Sequence, residues 1–93
     1  MPLSFEWDQN KAKTNLAKHG VSFEEAATVC GDALSLTIPD PAHSQVEDRW
    51  IVLGWSHQRK LLVVAHTERG DSIRVISARL ASRRERKQYE EST

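Results

Sequence analysis

Residues 59–79 read RKLLVVAHTERGDSIRVISAR, and this stretch decides the fold. Leu, Val and Ile dominate residues 61–66 and 72–76, which predicts two β-strands. The strands join at residues 68–71, whose Gly-Asp dipeptide favours a tight hairpin turn. Arginines interrupt this apolar ribbon at three positions: Arg69, Arg74 and Arg79. A charged side chain on an apolar strand costs free energy unless it reaches water or a partner, so these arginines are the first candidates for a functional site.

The residues before the hairpin predict a short strand, two helices and two further strands. Asp8 is the predicted N-cap of the first helix, which runs to Lys18 or His19, and Gly20 ends it. Ser22 begins a capping-box sequence that opens the second helix. The remaining predicted elements are a strand at residues 5–7, the second helix at residues 23–30, and strands at residues 33–38 and 49–56.

The residues after the hairpin become helical and basic from Ala78 onward. Ser77 is one candidate N-cap, and Ser82 with Glu85 forms a second capping box if the chain pauses near Leu80. We therefore predict an α+β fold in a single domain over residues 1–93. It has a small, mainly antiparallel sheet, two N-terminal helices and a C-terminal helix.

Composition fits a folded protein with one basic side. Of the 93 residues, 28% are charged and 39% are apolar, near globular averages. Residues 1–48 hold three Lys and eight Asp or Glu, a balance of −5, whereas residues 49–93 hold ten Lys or Arg and five Asp or Glu, a balance of +5. This asymmetry favours an anionic ligand on one side of the molecule. The longest apolar run, residues 61–65, is far below the ~20 residues that span a membrane, so we expect a cytoplasmic protein with no membrane partner.

The sequence lacks the motifs that are typical of several classes of functional site. The four histidines and the single cysteine, Cys30, never fall at the short spacing of metal ligands, so we expect no metal and no cofactor. No P-loop, G-x-G-x-x-G or G-x-S-x-G motif is present. What remains is arginine on strands, a basic helix and a few hydroxyls. This set suits a phosphodiester ligand, because guanidinium is permanently charged and forked to match phosphate oxygens.

The hairpin register groups the polar residues. If the turn closes with two or four residues, Thr67, Arg69 and Arg74 share one face of the sheet. The other face then carries His66, Ile73, Val75 and Ser77. Arg79 is expected just beyond, at the start of the last helix. His66 shares its face with valines and is interpreted as a core histidine, whereas Arg49 has no predicted face because its connecting turn has no fixed length.

RNA cleavage without a metal needs a base for the 2′-hydroxyl proton, cations for the phosphate and an acid for the departing 5′ oxygen. Arginines supply the cations. The candidates for acid and base stay open at this point: Tyr89, Glu85, His19 and His43.

The sequence resembles the BrnT family, the toxins of BrnT/BrnA toxin–antitoxin systems. The resemblance rests on FEWD at residues 5–8, KHGVSFEEA at 18–26, DPAHS at 40–44, and HTERGDSIRVISAR at 66–79 followed by RRERKQYEE. Two positions depart from the family pattern: Cys30 stands where an aromatic residue is expected, and Gln58-Arg59 replaces a Gly-Arg turn. Both concern packing and turn shape.

The resemblance implies a RelE-like ribonuclease fold and a toxin that cleaves RNA and blocks translation. It implies a BrnA-like ribbon-helix-helix antitoxin as partner, in a 2:2 complex, with DNA contacted only through the antitoxin. The candidate catalytic residues carried over by position are Thr67, Arg69, Arg74, Ser77, Arg79 and Tyr89. Five other basic residues are candidates for RNA binding: Arg49, Arg59, Arg83, Arg86 and Lys87. His19, His43 and Glu47 lie in matching segments without an assigned role.

The alternative hypothesis is a non-catalytic interaction module. Its basic C-terminal half would bind an antitoxin or nucleic acid, and the absence of an obvious acid and base would follow from the lack of catalysis. Loss of RNA cleavage and growth arrest on changing Arg74 and Arg79 distinguishes the two hypotheses.

Overall fold

The computed structural model describes residues 4–40 and 48–92, so His43 and Glu47 lie outside the described residues. Its elements are β1 (Ser4–Glu6), α1 (Gln9–His19), α2 (Phe23–Thr28), a 3₁₀ turn (Val29–Gly31), β2 (Leu36–Pro39), β3 (Arg49–Trp55), β4 (Leu61–Arg69), β5 (Ser72–Leu80) and α3 (Arg83–Glu91). The predicted α+β class is confirmed, with two N-terminal helices and one C-terminal helix.

The ends of α1 and the start of α2 follow from local sequence, as predicted. Asp8 Oδ1 accepts hydrogen bonds from the backbone N–H groups of Asn10 and Lys11 at 2.8 and 3.0 Å. Gly20 ends α1 with φ of 70°, a left-handed conformation that glycine adopts without strain. Ser22 Oγ accepts from the Glu25 N–H at 3.0 Å and starts α2.

The five strands form one sheet in the order β1-β5-β4-β3-β2. β1 lies parallel to β5, and the other three pairs are antiparallel. Gly70 and Asp71 form a two-residue turn between β4 and β5, with Gly70 at φ 60°. The predicted hairpin is therefore confirmed, and both of its strands are longer than predicted.

A β-bulge in the hairpin corrects the predicted position of Ser77. His66 pairs with Val75, but Ala65 pairs with Ser77, which leaves Ile76 as the extra residue. Because one extra residue reverses the alternation, Ser77 faces the same side as Thr67 and not the side of His66.

The start of the last helix differs from the prediction at Ala78. β5 continues to Leu80, which pairs with Leu62, so Arg79 lies in the strand and not at the start of a helix. The second capping box opens α3 instead. Ser82 Oγ accepts from the Glu85 N–H, and the Glu85 carboxylate accepts from the Ser82 N–H at 2.8 Å.

Each face of the sheet packs its own apolar cluster. One face, the α1/α2 face, carries Val52, Leu62, Val64 and Val75 and packs against Phe23 and its neighbours from α2. The other, the α3 face, carries Leu53, Leu61 and Val63 and packs against Tyr89 of α3. α3 packs near the start of β4, and none of its residues lines the cavity at the other end of this face, near the β4–β5 turn.

Two predicted elements are shorter than expected. Asp32 Oδ1 accepts from the Leu34 N–H and the Asp32 carbonyl accepts from the Ser35 N–H, which makes a turn and delays β2 until Leu36. α2 ends at Thr28 and tightens into the 3₁₀ turn, which leaves Cys30 exposed.

Within the described residues, no helix has the length and apolar content needed to cross a bilayer.

Candidate active site

A cationic cavity opens on the α3 face beside the β4–β5 turn. We refer to it as the Thr67 cavity. It has a volume of about 310 Å³, and its lining residues are Lys11, Arg49, Thr67, Arg69, Arg74 and Ile76. Four of these six side chains carry a positive charge and none carries a negative one. Such a lining attracts an anion, because an anion between the four cationic side chains reduces the repulsion among them.

Three neighbouring strands position the cavity side chains. Thr67 of β4 lies opposite Arg49 of β3 on one side and opposite Arg74 of β5 on the other. Arg69 follows two residues along β4 and therefore points to the same face. The register therefore places Thr67, Arg69 and Arg74 on one face of the sheet, as predicted. Arg49 lies on the same face.

Thr67 has an unusual environment for a hydroxyl. The residue is only 4% exposed, and its Oγ1 has no hydrogen-bond partner among the described residues. A buried hydroxyl without a partner costs roughly 1–3 kcal/mol. An anionic oxygen in the cavity would accept a hydrogen bond from this hydroxyl and remove the cost.

Lys11 is a cavity residue that the sequence analysis did not identify. It comes from the first turn of α1, not from the sheet. A local signal exists, because a cation in the first turn of a helix is opposed by the helix dipole and needs another reason to be there. Only the packing of α1 beside β5 brings Lys11 to the arginines.

Electrostatic coupling extends from the cavity to Asp8. The pKa of Asp8 is lowered mainly by the backbone N–H groups of Lys11 and Asn10, with smaller contributions from the charges of Lys11 and Arg74. Asp8 is exposed and therefore stays ionised at the rim of the site without filling it.

The other predicted catalytic residues lie outside the cavity. Ser77 is exposed and lines a neighbouring groove beside α1. Arg79 donates two 2.8 Å hydrogen bonds to the Glu85 carboxylate. Tyr89 is 5% exposed and donates to Asp32 Oδ2 at 2.7 Å. Burial and the neighbouring Asp32 carboxylate raise the pKa of Tyr89 to about 12.

The predicted RNA-binding residues other than Arg49 also lie apart from the cavity. Arg59 is in the β3–β4 turn, and Leu61 and Thr67 stand about 20 Å apart along β4 at 3.3 Å per residue. Arg86 stacks over Trp55, with its guanidinium carbon 5.3 Å from the ring centroid. Arg83 and Lys87 are exposed on α3 and do not line the cavity.

His66 lies behind the cavity on the α1/α2 face, as predicted for a core residue. It is 4% exposed, and its Nδ1 has no hydrogen-bond partner among the described residues. Burial lowers the pKa of His66, so the imidazole is held neutral.

A larger cavity of about 420 Å³ lies between α3 and strands β2 to β4. Leu36, Ile38, Ile51, Leu53 and Val63 form its floor, and Glu85 and Glu91 stand on its α3 side. Carboxylates beside an apolar floor disfavour a phosphate, so volume alone does not make this cavity the anion site. Among residues 4–40 and 48–92, no three His, Cys, Asp or Glu side chains cluster closely enough to hold a metal ion.

Comparison with known proteins places this chain in a family. Residues 7–85 match the family model described as the ribonuclease toxin BrnT of type II toxin–antitoxin systems. The chain belongs to the BrnT family. The fold of this BrnT resembles the 1.1 Å crystal structure of the Brucella abortus ribonuclease toxin BrnT, with a TM-score of 0.69 and 27% sequence identity. That match covers 88% of this chain and 100% of the Brucella chain. No curated protein sequence matches this BrnT.

Membership of the family confirms the resemblance on which the sequence analysis relied. It makes this BrnT a ribonuclease toxin of a type II toxin–antitoxin system, with RNA as substrate and an antitoxin as partner. Since the match to the family model ends at residue 85, Tyr89 lies beyond the matched segment.

Proposed function

We propose that the Thr67 cavity is the active site of an endoribonuclease that binds the scissile phosphate and cleaves it without a metal ion. The observation that carries the proposal is the buried, unpartnered Thr67 hydroxyl in a lining that also holds Lys11, Arg69 and Arg74. A phosphate oxygen bound in the cavity would supply the missing acceptor.

The cations would act on the charge that develops during cleavage. The attack of a 2′-hydroxyl on phosphorus places additional negative charge on the non-bridging phosphate oxygens. Arg69 and Arg74 offer forked donors to these oxygens, and Lys11 adds a point charge from the α1 side. A preorganised donor at such a site contributes roughly 2.7–4 kcal/mol to transition-state stabilisation.

The proposed reaction is a transfer within the RNA strand. The 2′-hydroxyl loses its proton and its oxygen bonds to phosphorus, while the bond from phosphorus to the 5′ oxygen breaks. The departing 5′ oxygen takes up a proton. The products are a 2′,3′-cyclic phosphate on the upstream fragment and a 5′-hydroxyl on the downstream fragment.

The test is RNA cleavage by purified protein in EDTA, with the product ends mapped. We expect 2′,3′-cyclic phosphate ends from the wild type and at least a hundredfold loss for Arg74→Ala, as for removal of an oxyanion donor. Arg84→Ala is the matched control, because Arg84 is an exposed arginine of α3 that does not line the cavity. Equal cleavage by both variants, or cleavage that requires added metal, would overturn the proposal. The non-catalytic alternative predicts no cleavage by any of them.

We further propose that the antitoxin is BrnA-like, with a ribbon-helix-helix fold, and that the complex is 2:2. Ribbon-helix-helix proteins are dimers, so one antitoxin dimer would hold two toxins, and DNA would be contacted through the antitoxin alone. The mass of the co-expressed complex in solution tests this stoichiometry. A 1:1 mass would contradict it.

The proposed cellular effect is inhibition of translation in the cytoplasm, where the RNA substrate is present. Expression of the wild type should arrest growth and lower the rate of amino-acid incorporation. Co-expression of the antitoxin should restore both.

A further inference from the structure

A second groove runs along α1 beside the edge of β5, with a volume of about 340 Å³. Thr14, Lys18 and His19 line it from α1, and Ser77 lines it from β5. Lys11 and Ile76 line both this groove and the Thr67 cavity, so the two lie side by side. We refer to it as the α1 groove.

The sheet topology creates the α1 groove. The described residues of β1 pair with Ser72, Ile73 and Arg74 of β5. α1 packs beside β5 farther along the strand, where Asn15 bonds to Ala78. The bulge places Ile76 outside the regular pairing, at the junction between groove and cavity. Asn15 fixes α1 in this position through two hydrogen bonds to the backbone of Ala78. The wall of the groove is therefore preformed.

The chemistry of the α1 groove suits a nucleic-acid strand. α1 has the sequence QNKAKTNLAKH, which contains three lysines and no acidic residue. Lys18 and His19 stand at the end of α1 farthest from the cavity, and Thr14 and Ser77 add hydroxyl donors along the path. Among the described residues, no carboxylate lines the groove. Phosphates attract lysine, and hydroxyls bond to sugar and phosphate oxygens.

Lys18 and Lys11 lie at different positions along the α1 groove. The two lysines are seven residues apart on α1, which corresponds to about 10 Å along the helix at 1.5 Å per residue. Lys18 does not line the Thr67 cavity and lies about two helical turns from Lys11.

We propose that the α1 groove binds the RNA segment adjoining the scissile phosphate, with Lys18 contacting the next phosphate along the strand. The inference rests on the proposed function of the Thr67 cavity. Under this inference the RNA strand runs along α1, whereas the basic sequence of α3 favours the C-terminal helix as the RNA contact.

The experiment uses oligodeoxynucleotides with a single ribonucleotide, so that each is cut at one position. A short substrate carries one nucleotide on each side of the cut, and longer ones extend it on the 5′ or the 3′ side. We expect extension on one side to raise kcat/KM for the wild type. Lys18→Ala should reduce the ratio of long-substrate to short-substrate kcat/KM by about threefold to tenfold, the effect of one charge-assisted contact.

Lys13→Ala is the matched control, because Lys13 is an exposed lysine of the same helix that does not line the groove. It should keep the wild-type length ratio. A ratio equal for both variants, or no effect of extension in the wild type, would overturn the inference. Thermal unfolding of both variants checks that α1 remains folded.

Binding separates this inference from the proposed function. An all-deoxy oligonucleotide lacks the attacking 2′-hydroxyl and is not cut, so its affinity reports the groove without cleavage. Lys18→Ala should weaken binding and reduce the slope of log affinity against log salt by about 0.7, the value for one phosphate contact to a single strand. An inactive wild type would contradict the proposed function but would still support the groove if Lys18→Ala, and not Lys13→Ala, weakened this binding. Equal binding by the two variants would overturn the groove whatever the activity.

Discussion

The side chain of Asn15 pairs with the backbone of Ala78 as a neighbouring strand would. Asn15 Oδ1 accepts from the Ala78 N–H at 3.1 Å, and Asn15 Nδ2 donates to the Ala78 carbonyl at 2.8 Å. Nδ2 also donates to the Val21 carbonyl at 2.9 Å. Asn15 is thereby the link that holds α1 against the sheet, and this contact brings Lys11 to the cavity. A residue that does not line the Thr67 cavity thus helps to position it.

Replacing Asn15 should destabilise the fold. Asn15→Ala leaves the Ala78 N–H and C=O buried without partners, so we expect the free energy of unfolding to fall by about 2–3 kcal/mol. Urea denaturation measures this change. Asn10→Ala is the control, because Asn10 is exposed on the same helix, and it should change the free energy by less than about 0.5 kcal/mol. Equal stabilities for the two variants would show that the Asn15 contacts contribute nothing net.

Thr67→Val should separate activity from stability. Valine fills the volume of threonine but removes the buried hydroxyl, so the free energy of unfolding should stay the same or rise by about 1 kcal/mol. RNA cleavage should fall about tenfold to a hundredfold if the hydroxyl contacts the phosphate. Thr67→Ser keeps the hydroxyl and should retain most of the activity. Full activity in Thr67→Val would remove Thr67 from the mechanism.

Tyr89→Phe should lower the free energy of unfolding and leave the rate of RNA cleavage unchanged. The variant loses the hydrogen bond to Asp32 while keeping the ring packed against Trp55, whose centroid is 6.4 Å away. We expect the free energy of unfolding to fall by about 1 kcal/mol. Single-turnover cleavage rates should match those of the wild type. A large loss of rate without loss of stability would instead support the catalytic role inferred from the family resemblance.

Acid should weaken the junction between β5 and α3. The hydrogen bonds from Arg79 lower the pKa of Glu85 from 4.5 to about 2. Because the folded pKa is lowered, the stabilisation is present above about pH 4.5 and is lost as the pH falls toward 2. Arg79 is 45% exposed, so solvent screening limits the effect to about 1 kcal/mol.

Glu85→Gln is the matching variant, because glutamine can still accept from the Ser82 N–H and preserve the capping box. The difference in the free energy of unfolding between wild type and Glu85→Gln should be largest at neutral pH and approach zero near pH 2. A difference that does not change with pH would contradict the ion-pair explanation.

Arg59→Gly should stabilise the protein. Arg59 has φ of 63°, a left-handed conformation that disfavours residues with a Cβ by about 1–2 kcal/mol. Glycine relieves this strain but is more flexible in the unfolded state, so we expect a net gain of about 0.5–1 kcal/mol in the free energy of unfolding. Thermal unfolding measures it. RNA affinity should be unchanged, because the β3–β4 turn lies at the far end of β4 from the cavity, and a loss of affinity would restore Arg59 as a contact.

Local sequence determined both ends of α1, the start of α2 and the central hairpin. The caps Asp8, Gly20 and Ser22 act within a few residues of themselves, and Gly70 allows the two-residue turn, so each could be predicted without knowing the rest of the molecule. The same turn length placed Thr67, Arg69 and Arg74 on one face. These features depend on hydrogen bonds between near neighbours in the chain.

Tertiary structure decided the remainder of the site. The bulge at Ile76 moved Ser77 to the Thr67 face, and pairing with β4 kept Arg79 in a strand and available to Glu85. The position of α1 beside β5 added Lys11 and opened the α1 groove. Each of these depends on contacts between residues far apart in the chain, whose free energies no local pattern of residues reveals. The sequence by itself determined which residues carry the positive charge, and packing decided which of them line one cavity.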